Sequence, residues 1–286
     1  MKKHYKFLSA GALLAATVLA SAACAPVKLL NGLTPSNAYS LEKDVPFSAA
    51  PRLLMDVYTP KAAKPNAPLV MFIYGGGWNS GHKDMYKFIG EAFSSEGYTT
   101  LVPNYRTYPE VIYPDFMTDA AKAVAHAADT YKRPIVLVGH SAGAHISSLL
   151  ALNPEYLNAS GTDRCKTLAG WIGLAGPYDF KVYDPPYTKI FPPQTREEML
   201  PIKYAGNALH PAMVIIGSDD ETVQPAQTGR MAEALRKAGV QVTEDYYDGV
   251  SHTGMIANMS KLFENRSAAH SDVMAFLQNL PKTNCG

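Results

Sequence analysis

Three residues far apart in the chain have the side chains that acyl transfer needs. Ser141 stands in the pattern Gly-His-Ser-Ala-Gly at 139–143, directly after the apolar run at 135–138. A serine hydroxyl attacks a carbonyl carbon only when a base takes its proton, and that base needs a carboxylate to orient it. His252 is the candidate base and Asp220 the candidate carboxylate. This set predicts a serine hydrolase that forms an acyl-enzyme intermediate.

The order of these residues along the chain favours the assignment. Gly-x-Ser-x-Gly holds a serine on a sharp turn between a strand and a helix, where only small residues fit two places to either side. Asp220 and His252 each follow a later predicted strand, and the order serine, aspartate, histidine is that of the nucleophile-elbow hydrolases. Asp219 is adjacent to Asp220, and either aspartate could instead cap a turn. The position of Asp220, three residues after Gly217, favours Asp220.

A glycine-rich loop offers candidate hydrogen-bond donors. The segment Tyr-Gly-Gly-Gly-Trp at 74–78 follows the predicted strand at 69–74. Glycines let bare backbone amides approach a substrate, and such amides stabilise the oxyanion of the tetrahedral intermediate. The amide that follows the nucleophile usually supplies a further donor. The predicted oxyanion hole therefore consists of Gly75, Gly76, Gly77 and Ala142.

The elements that must position these residues alternate along the chain. Strand-like apolar runs lie at 53–58, 69–74, 99–104, 135–138, 171–174, 213–216 and 240–246. Helix-like stretches lie between or after them at 83–96, 115–131, 142–152, 226–237 and 268–280. Such alternation predicts an α/β fold, with a mostly parallel sheet covered by helices on both faces.

A proline-rich segment at 178–210 interrupts the alternation. Its Pro-Pro pairs at 185–186 and 192–193 exclude a central strand. We predict a lid-like insertion or a wall of the pocket, and a plain surface excursion is the alternative. Tyr178 and Trp78 are predicted to bind substrate, although Trp78 could instead pack beneath the glycine loop.

Residues 1–23 predict an export signal. Three lysines precede the apolar run at 7–20, and small residues follow it. The run is shorter than the roughly 20 residues that a membrane-spanning helix needs. Cys24 follows Ala-Ala, which resembles the lipobox of bacterial lipoproteins and implies lipidation of Cys24 at a membrane surface. Ordinary cleavage after a small-x-small site is the alternative. We predict a tether and approach segment at 24–50 and one hydrolase domain at 51–286.

Composition limits the classes of partner. The 286 residues are 47% hydrophobic, and the formal net charge is only +1, so the chain can bury a core and has no basic stripe for nucleic acid. No metal-ligating motif and no phosphate-binding loop is present, so neither a metal nor a cofactor is expected. Cys165 and Cys285 could pair in an exported protein, but their spacing does not show whether they meet. Nothing in the sequence predicts the oligomeric state.

Several segments resemble one family. Tyr-Gly-Gly-Gly-Trp is similar to the His-Gly-Gly-Gly-Trp oxyanion loop of α/β-hydrolase esterases, and the elbow resembles that of the kynurenine formamidase and carboxylesterase branch. Further segments that recur in this branch lie at 54–60, 104–106 and 173–179. The resemblance covers about residues 51–280 and implies the α/β-hydrolase fold, with Ser141, Asp220 and His252 as nucleophile, orienting acid and general base. Tyr74 stands where the family usually has a histidine, whose side chain braces the loop by hydrogen bonding.

The sequence therefore predicts an exported, lipid-anchored hydrolase of small-molecule carboxylic esters. An amide hydrolase, either a kynurenine formamidase-like enzyme or a small serine peptidase, would use the same three residues and is the first alternative. A non-catalytic surface binding module on a hydrolase scaffold is the second.

Overall fold

The computed structural model of the protein describes residues 29–281, 283 and 285. The predicted signal peptide and Cys24 lie outside the described residues. Within them, no helix is both long and apolar enough to cross a lipid bilayer.

One eight-stranded sheet forms the centre of the molecule. Its strands are β1 (Tyr39–Pro46), β2 (Leu54–Pro60), β3 (Leu69–Ile73), β4 (Thr100–Pro103), β5 (Ile135–His140), β6 (Leu168–Leu174), β7 (Ala212–Gly217) and β8 (Val242–Tyr247). They lie in the order β1-β2-β4-β3-β5-β6-β7-β8. The pairs of β2 with β1 and with β4 are antiparallel, and every other pair is parallel. The predicted α/β fold with a mostly parallel sheet is confirmed.

Helices follow most of the strands. They are α1 (Lys87–Ser94), α2 (Asp115–Tyr131), α3 (Ala142–Leu152), α4 (Pro154–Ala159), α5 (Arg164–Thr167), α6 (Tyr187–Ile190), α7 (Ala226–Lys237), α8 (His252–Ala257) and α9 (Ala269–Gln278). The bounds of α2, α3 and α7 are those that the sequence predicts. The predicted helix at 83–96 instead begins as a 3-10 turn at Lys83–Tyr86 and continues as α1.

The core explains why the central strands are continuously apolar. Every residue of β3 and β5 is buried, which requires cover on both faces of the sheet. Every residue of α3 is buried as well, so the helix that follows Ser141 lies inside the molecule. The serine is thereby held between two elements that cannot shift independently, because interiors are close-packed.

The strand β1 lies within the segment at 24–50, for which we predicted a tether and approach segment and no strand. β1 pairs with β2 at the edge of the sheet and contains a register shift between Glu42 and Val45. Only Tyr39 of its residues is buried outright. An edge strand that buries a single face needs no continuous apolar run, and an irregular register disturbs the alternation of side chains. The sequence pattern that identifies the other strands is therefore missing here.

A disulfide joins Cys165 in α5 to Cys285, 120 residues later, with 5.6 Å between the two Cα atoms. His210 is buried beside it, and its Nε2 lies 3.7 Å from the sulfur of Cys285. The potential metal-ligating atoms of these three residues all lie within 4.8 Å of one another. Sulfurs bonded to each other offer no thiolate, so the group does not bind a metal in this form.

Reduction of this disulfide is expected to lower the free energy of unfolding by about 3 to 5 kcal/mol, because the cross-link restricts a long loop of the unfolded chain. For a domain of this size the melting temperature should fall by roughly 10 °C. Thermal unfolding followed by circular dichroism, with and without dithiothreitol, measures the change. The double variant Cys165→Ser, Cys285→Ser should melt low under both conditions. An equal melting temperature for the oxidised and reduced protein would contradict the prediction.

Candidate active site

Ser141 lies on the turn between β5 and α3. Its backbone angles are φ 55° and ψ −121°, a region that residues with a Cβ rarely adopt. The turn brings Gly143 against the end of β3, where an added Cβ would lie 2.6 Å from the carbonyl carbon of Ile73. The glycine two places after the serine is therefore required by the close approach of two backbones.

His252 connects Ser141 to Asp220. Its Nε2 lies 2.9 Å from the hydroxyl oxygen of Ser141, and its Nδ1 lies 2.7 Å from Oδ2 of Asp220. His252 is the first residue of α8, and the hydroxyl of Ser251 caps this helix by accepting a hydrogen bond from the amide of Gly254. With the Nδ1 proton donated to the carboxylate, Nε2 has the lone pair that can accept the serine proton.

Asp220 is held by the loop that follows β7. Its Oδ1 accepts hydrogen bonds from the amides of Thr222 and Val223, at 2.9 and 2.8 Å. Burial alone would raise the pKa of the Asp220 carboxyl, but the hydrogen bonds from His252 and these amides outweigh it and bring the pKa below its usual value. Asp220 is therefore charged at neutral pH. The neighbouring Asp219 is exposed and contacts Ser218 instead.

Two further histidines are buried near the site. Nε2 of His140 donates to the carbonyl oxygen of His252 at 3.1 Å, and Nε2 of His145 donates to that of Met199 at 2.8 Å. Burial, with repulsion from His252, lowers the pKa of His140 to about 3. Burial lowers the pKa of His145 to about 4. Both rings are therefore neutral at physiological pH, and they support the site as uncharged hydrogen-bond donors.

Acidification from pH 6.5 to 4.5 is expected to destabilise the folded protein. Four buried histidines have lowered pKa values in the folded state, and the shift is largest for three of them: about 3 for His140 and about 4 for His145 and His210. In the unfolded chain their pKa returns to about 6.5. Between that pH and the folded pKa values, the unfolded chain therefore binds protons that the folded chain does not bind. Stability is therefore complete above pH 6.5 and falls as the pH drops towards the folded pKa values, by up to about 4 kcal/mol per pH unit for three protons.

Urea unfolding at pH 7, 6 and 5 measures this slope. The variant His145→Gln keeps a side-chain donor for Met199 but has no imidazole to protonate. Its free energy of unfolding should therefore depend less steeply on pH, by roughly 1.4 kcal/mol per pH unit. A free energy of unfolding that stays constant across this range would show that the histidines do not titrate differently in the two states.

The glycine loop lies directly against the serine. An added Cβ on Gly75 would lie 3.0 Å from the Cβ of Ser141. Gly76 and Gly77 have φ angles of 131° and 58°, and the carbonyl of Gly76 accepts hydrogen bonds from both the amide and the hydroxyl of Ser80. Within residues 29–281, the backbone amides of Gly76, Gly77 and Ala142 donate no hydrogen bond. These amides are therefore available to a bound molecule.

Tyr74 supports the glycine loop in the way that the family's histidine was expected to. Its buried hydroxyl donates to Oδ1 of Asn104 at 3.1 Å, and the same oxygen accepts from the amide of Lys83 at 2.8 Å. The hydroxyl of Tyr105 in turn donates to the carbonyl of Tyr74 at 2.9 Å. Asn104 thus joins the residue before the loop to a residue after it. Sequence analysis did not identify this function of Asn104, and its only signal was the recurrent segment at 104–106.

A cavity of about 1210 Å³ opens over Ser141 and His252. Trp78 lines it and also packs, because its ring is stacked on Phe180 at 5.7 Å and meets Phe191 edge-on at 4.9 Å. Trp78 therefore lines the cavity and packs against the segment at 178–210, and its binding of substrate stays a prediction. Other aromatic and aliphatic residues that line the cavity include Leu30, Met85, Tyr86, Phe88, Phe180, Val182, Tyr183, Tyr187, Val223, Ile256 and Phe263.

The segment at 178–210 forms one wall of this cavity, but the structure corrects the prediction for Tyr178. Tyr178 is fully buried, and its ring packs against Trp171 with 6.1 Å between centroids. A glycine at 173 leaves room for its hydroxyl, which points into the sheet and away from the cavity. Phe180 and Tyr187 from the same segment line the cavity instead.

Comparison with known proteins gives the wider context. The sequence model of the BD-FAE family matches residues 55–235. The chain is 25% identical over 240 residues to "Probable isoprenylcysteine alpha-carbonyl methylesterase ICME" of Oryza sativa subsp. japonica, which covers 74% of this chain and 58% of that protein. It is 25% identical over 244 residues to the kynurenine formamidase of Drosophila melanogaster, covering 80% of this chain and 78% of the relative.

A solved esterase structure has the same fold as this chain. The crystal structure of Esterase B from Lactobacillus rhamnosis superposes with a TM-score of 0.75 at 18% identity, covering 93% of this chain and 96% of the other. The chain spans less than two thirds of the rice methylesterase. With most of its length matched by one family, this protein belongs to the BD-FAE family and has the α/β-hydrolase fold.

Proposed function

We propose that the protein is a carboxylesterase-like serine hydrolase that cleaves carboxylic esters through an acyl-serine intermediate. The observation that carries the proposal is the unbroken chain of hydrogen bonds from Ser141 through His252 to Asp220, beside unpaired amides at the base of an apolar cavity. Structural serines rarely have a buried imidazole and carboxylate aligned behind them, whereas a nucleophile requires both.

The chemistry proceeds in two halves. The hydroxyl oxygen of Ser141 bonds to the ester carbonyl carbon while Nε2 of His252 takes its proton, and Asp220 stabilises the imidazolium that forms. The carbonyl oxygen becomes an oxyanion that accepts hydrogen bonds from the amides of Gly76, Gly77 and Ala142, and removing one such donor typically costs about 2.7 to 4 kcal/mol. His252 then gives its proton to the leaving alcohol. A water molecule, deprotonated by the same imidazole, attacks the acyl-serine and releases the acid.

The names of the relatives bear on the bond that is cleaved. A methylesterase among the relatives, with a carbohydrate esterase and Esterase B among the structural neighbours, supports an ester bond. The apolar cavity suits a small-molecule ester with an apolar acyl or alcohol group. The formamidase relatives favour the amide-directed alternative, since they match over comparable lengths. Comparing kcat/KM for an acetyl ester and for N-formylkynurenine separates the two functions.

We propose in addition that the protein is exported and anchored through lipid on Cys24. This rests on the basic, apolar and small-residue order of residues 1–24. Metabolic labelling of producing cells with a radioactive fatty acid should label the protein, and the variant Cys24→Ala should carry no label.

A fluorophosphonate probe tests the proposed catalytic serine. The probe phosphonylates serines that an adjacent base activates, so the folded protein should be labelled once, and mass spectrometry should locate the label at Ser141. The same preparation should hydrolyse short p-nitrophenyl esters. Absence of both labelling and hydrolysis would favour the binding-module alternative, and labelling at a different serine would refute the assignment of the nucleophile.

A further inference from the structure

Exposed apolar side chains are concentrated around the entrance of the active-site cavity. Within the described part of the chain, seven large apolar side chains are exposed, and two of them, Tyr183 and Tyr187, line the cavity themselves. Three more are close in sequence to residues that line it: Leu29 precedes Leu30, Leu33 follows Leu30 by three residues in the same helical turn, and Leu262 precedes Phe263. The two remaining ones, Ile112 and Tyr246, lie elsewhere. A cluster of this kind usually marks a surface that contacts an apolar partner. We call Leu29, Leu33, Tyr183, Tyr187 and Leu262 the apolar rim.

The leucines of the rim are fixed in place by polar contacts. Asn31 donates from Nδ2 to the carbonyl of Asp84 at 2.7 Å and accepts at Oδ1 from the amide of Phe88. Residues 29–33 are helical, so Leu29 and Leu33, four residues apart, lie on the same side of the turn. They are 64% and 59% exposed, whereas Leu30 between them is buried against the cavity. The molecule therefore holds two leucines outward at the cavity entrance, where burial within the protein does not explain them.

The charges at the entrance suit an anionic surface. Lys181 and Arg266 line the cavity and are exposed, and the guanidinium of Arg266 lies over the ring of Phe263 at 4.3 Å. One acidic residue, Asp184, is also among the lining residues, so the charged side chains that line the cavity sum to one net positive charge. Apolar side chains with basic residues beside them form the combination by which peripheral proteins insert into the interface of an anionic bilayer.

The chain length before the rim points to the same partner. Leu29 lies five positions after Cys24, and a fully extended chain over that distance reaches about 18 Å at most. An anchor at Cys24 would therefore keep the cavity entrance close to the lipid surface.

We propose that the apolar rim docks on a lipid bilayer and that the cavity takes its substrate from it. Resting on the proposed ester hydrolysis, this names the substrate class: an ester whose long acyl or alkyl chain partitions into the membrane. In this arrangement the ester enters the cavity past the rim without crossing water, and its apolar chain contacts the aromatic residues that line the cavity.

The test compares two substrates on vesicles of phosphatidylcholine and phosphatidylglycerol. One is a long-chain p-nitrophenyl ester embedded in the vesicles, and the other is water-soluble p-nitrophenyl acetate. The rim variant is Leu29→Asp with Leu33→Asp, and the matched control is Ile112→Asp with Tyr246→Asp, which changes exposed apolar residues away from the entrance. The readout is the ratio of embedded to soluble turnover, which normalises for the amount of folded enzyme.

We expect the ratio to fall at least tenfold in the rim variant, since two leucines lose their apolar burial in the bilayer, and to stay within about twofold of wild type in the control. Equal ratios in the two double variants would overturn the docking proposal while leaving the esterase intact. Failure of wild-type protein to cleave either substrate would instead refute the proposed function. Size-exclusion chromatography measures the oligomeric state of the wild type and of the rim variant. If the wild type were a dimer and the rim variant a monomer, the partner of the rim would be a second copy of the chain, and the membrane proposal would be overturned.

Discussion

Replacing Ser141 with alanine is expected to lower kcat for ester hydrolysis by about 10⁴ to 10⁶-fold. Without the hydroxyl oxygen no acyl-enzyme can form, and the amides of the glycine loop alone can only assist direct attack by water. The free energy of unfolding should not fall, because the removed hydroxyl contacts His252 in the active site and does not pack in the core. Initial rates with p-nitrophenyl butyrate, normalised to protein that unfolds cooperatively, measure the effect.

Ser271 supplies the control for that experiment. It is an exposed serine in α9 whose hydroxyl donates a hydrogen bond to the carbonyl of Ala268. Ser271→Ala should therefore retain wild-type kcat. Turnover by Ser141→Ala within tenfold of the wild-type rate would leave the acyl-serine mechanism without its nucleophile, and another residue would have to be sought in the cavity.

Replacing Asp220 with asparagine is expected to lower kcat by about 10⁴-fold with little change in KM. The carboxylate accepts the Nδ1 proton of His252, which leaves the Nε2 lone pair facing Ser141. An asparagine amide can donate to Nδ1 instead, which favours the tautomer with its proton on Nε2, and that nitrogen could no longer take the serine proton. KM should change little because Asp220 lies behind the imidazole and not in the cavity.

Asp219 gives this prediction a matched control. The two aspartates are adjacent, but Asp219 is exposed and its carboxylate contacts Ser218 and not the imidazole. Asp219→Asn should therefore stay within about twofold of wild-type kcat. If Asp219→Asn were the inactive variant and Asp220→Asn the active one, the carboxylate would be assigned to the wrong residue.

Most of the fold could be predicted from sequence because its elements are strongly periodic. Central strands that are buried on both faces form unbroken apolar runs, and helices such as α2 and α7 show one apolar face. The strand β1 could not be predicted, since it buries few side chains and contains the polar run at 42–44. What identifies β1 is its pairing with β2, a contact between segments that no local pattern reports.

The candidate site also contains residues that the sequence predicts and residues that it does not. Ser141, Asp220 and His252 each follow a strand of the parallel sheet, and the carboxyl ends of such strands share one edge, so their meeting could be predicted from position alone. Tyr178 was misplaced because an aromatic residue in an irregular segment gives no signal of which side it faces. Asn104 and the apolar rim depend on contacts between distant segments, and only the three-dimensional arrangement identifies them.

The backbone at Ser141 also bears on how this protein can evolve. A conformation that glycine adopts freely costs a residue with a side chain about 1 to 3 kcal/mol, and Ser141 bears that cost wherever the protein folds. At this position, a substitution that relieves the backbone strain would raise thermal stability but abolish turnover. A laboratory lineage screened for survival at high temperature, with no assay of hydrolysis, would gain by exchanging this serine for glycine and would accumulate robust but inert descendants.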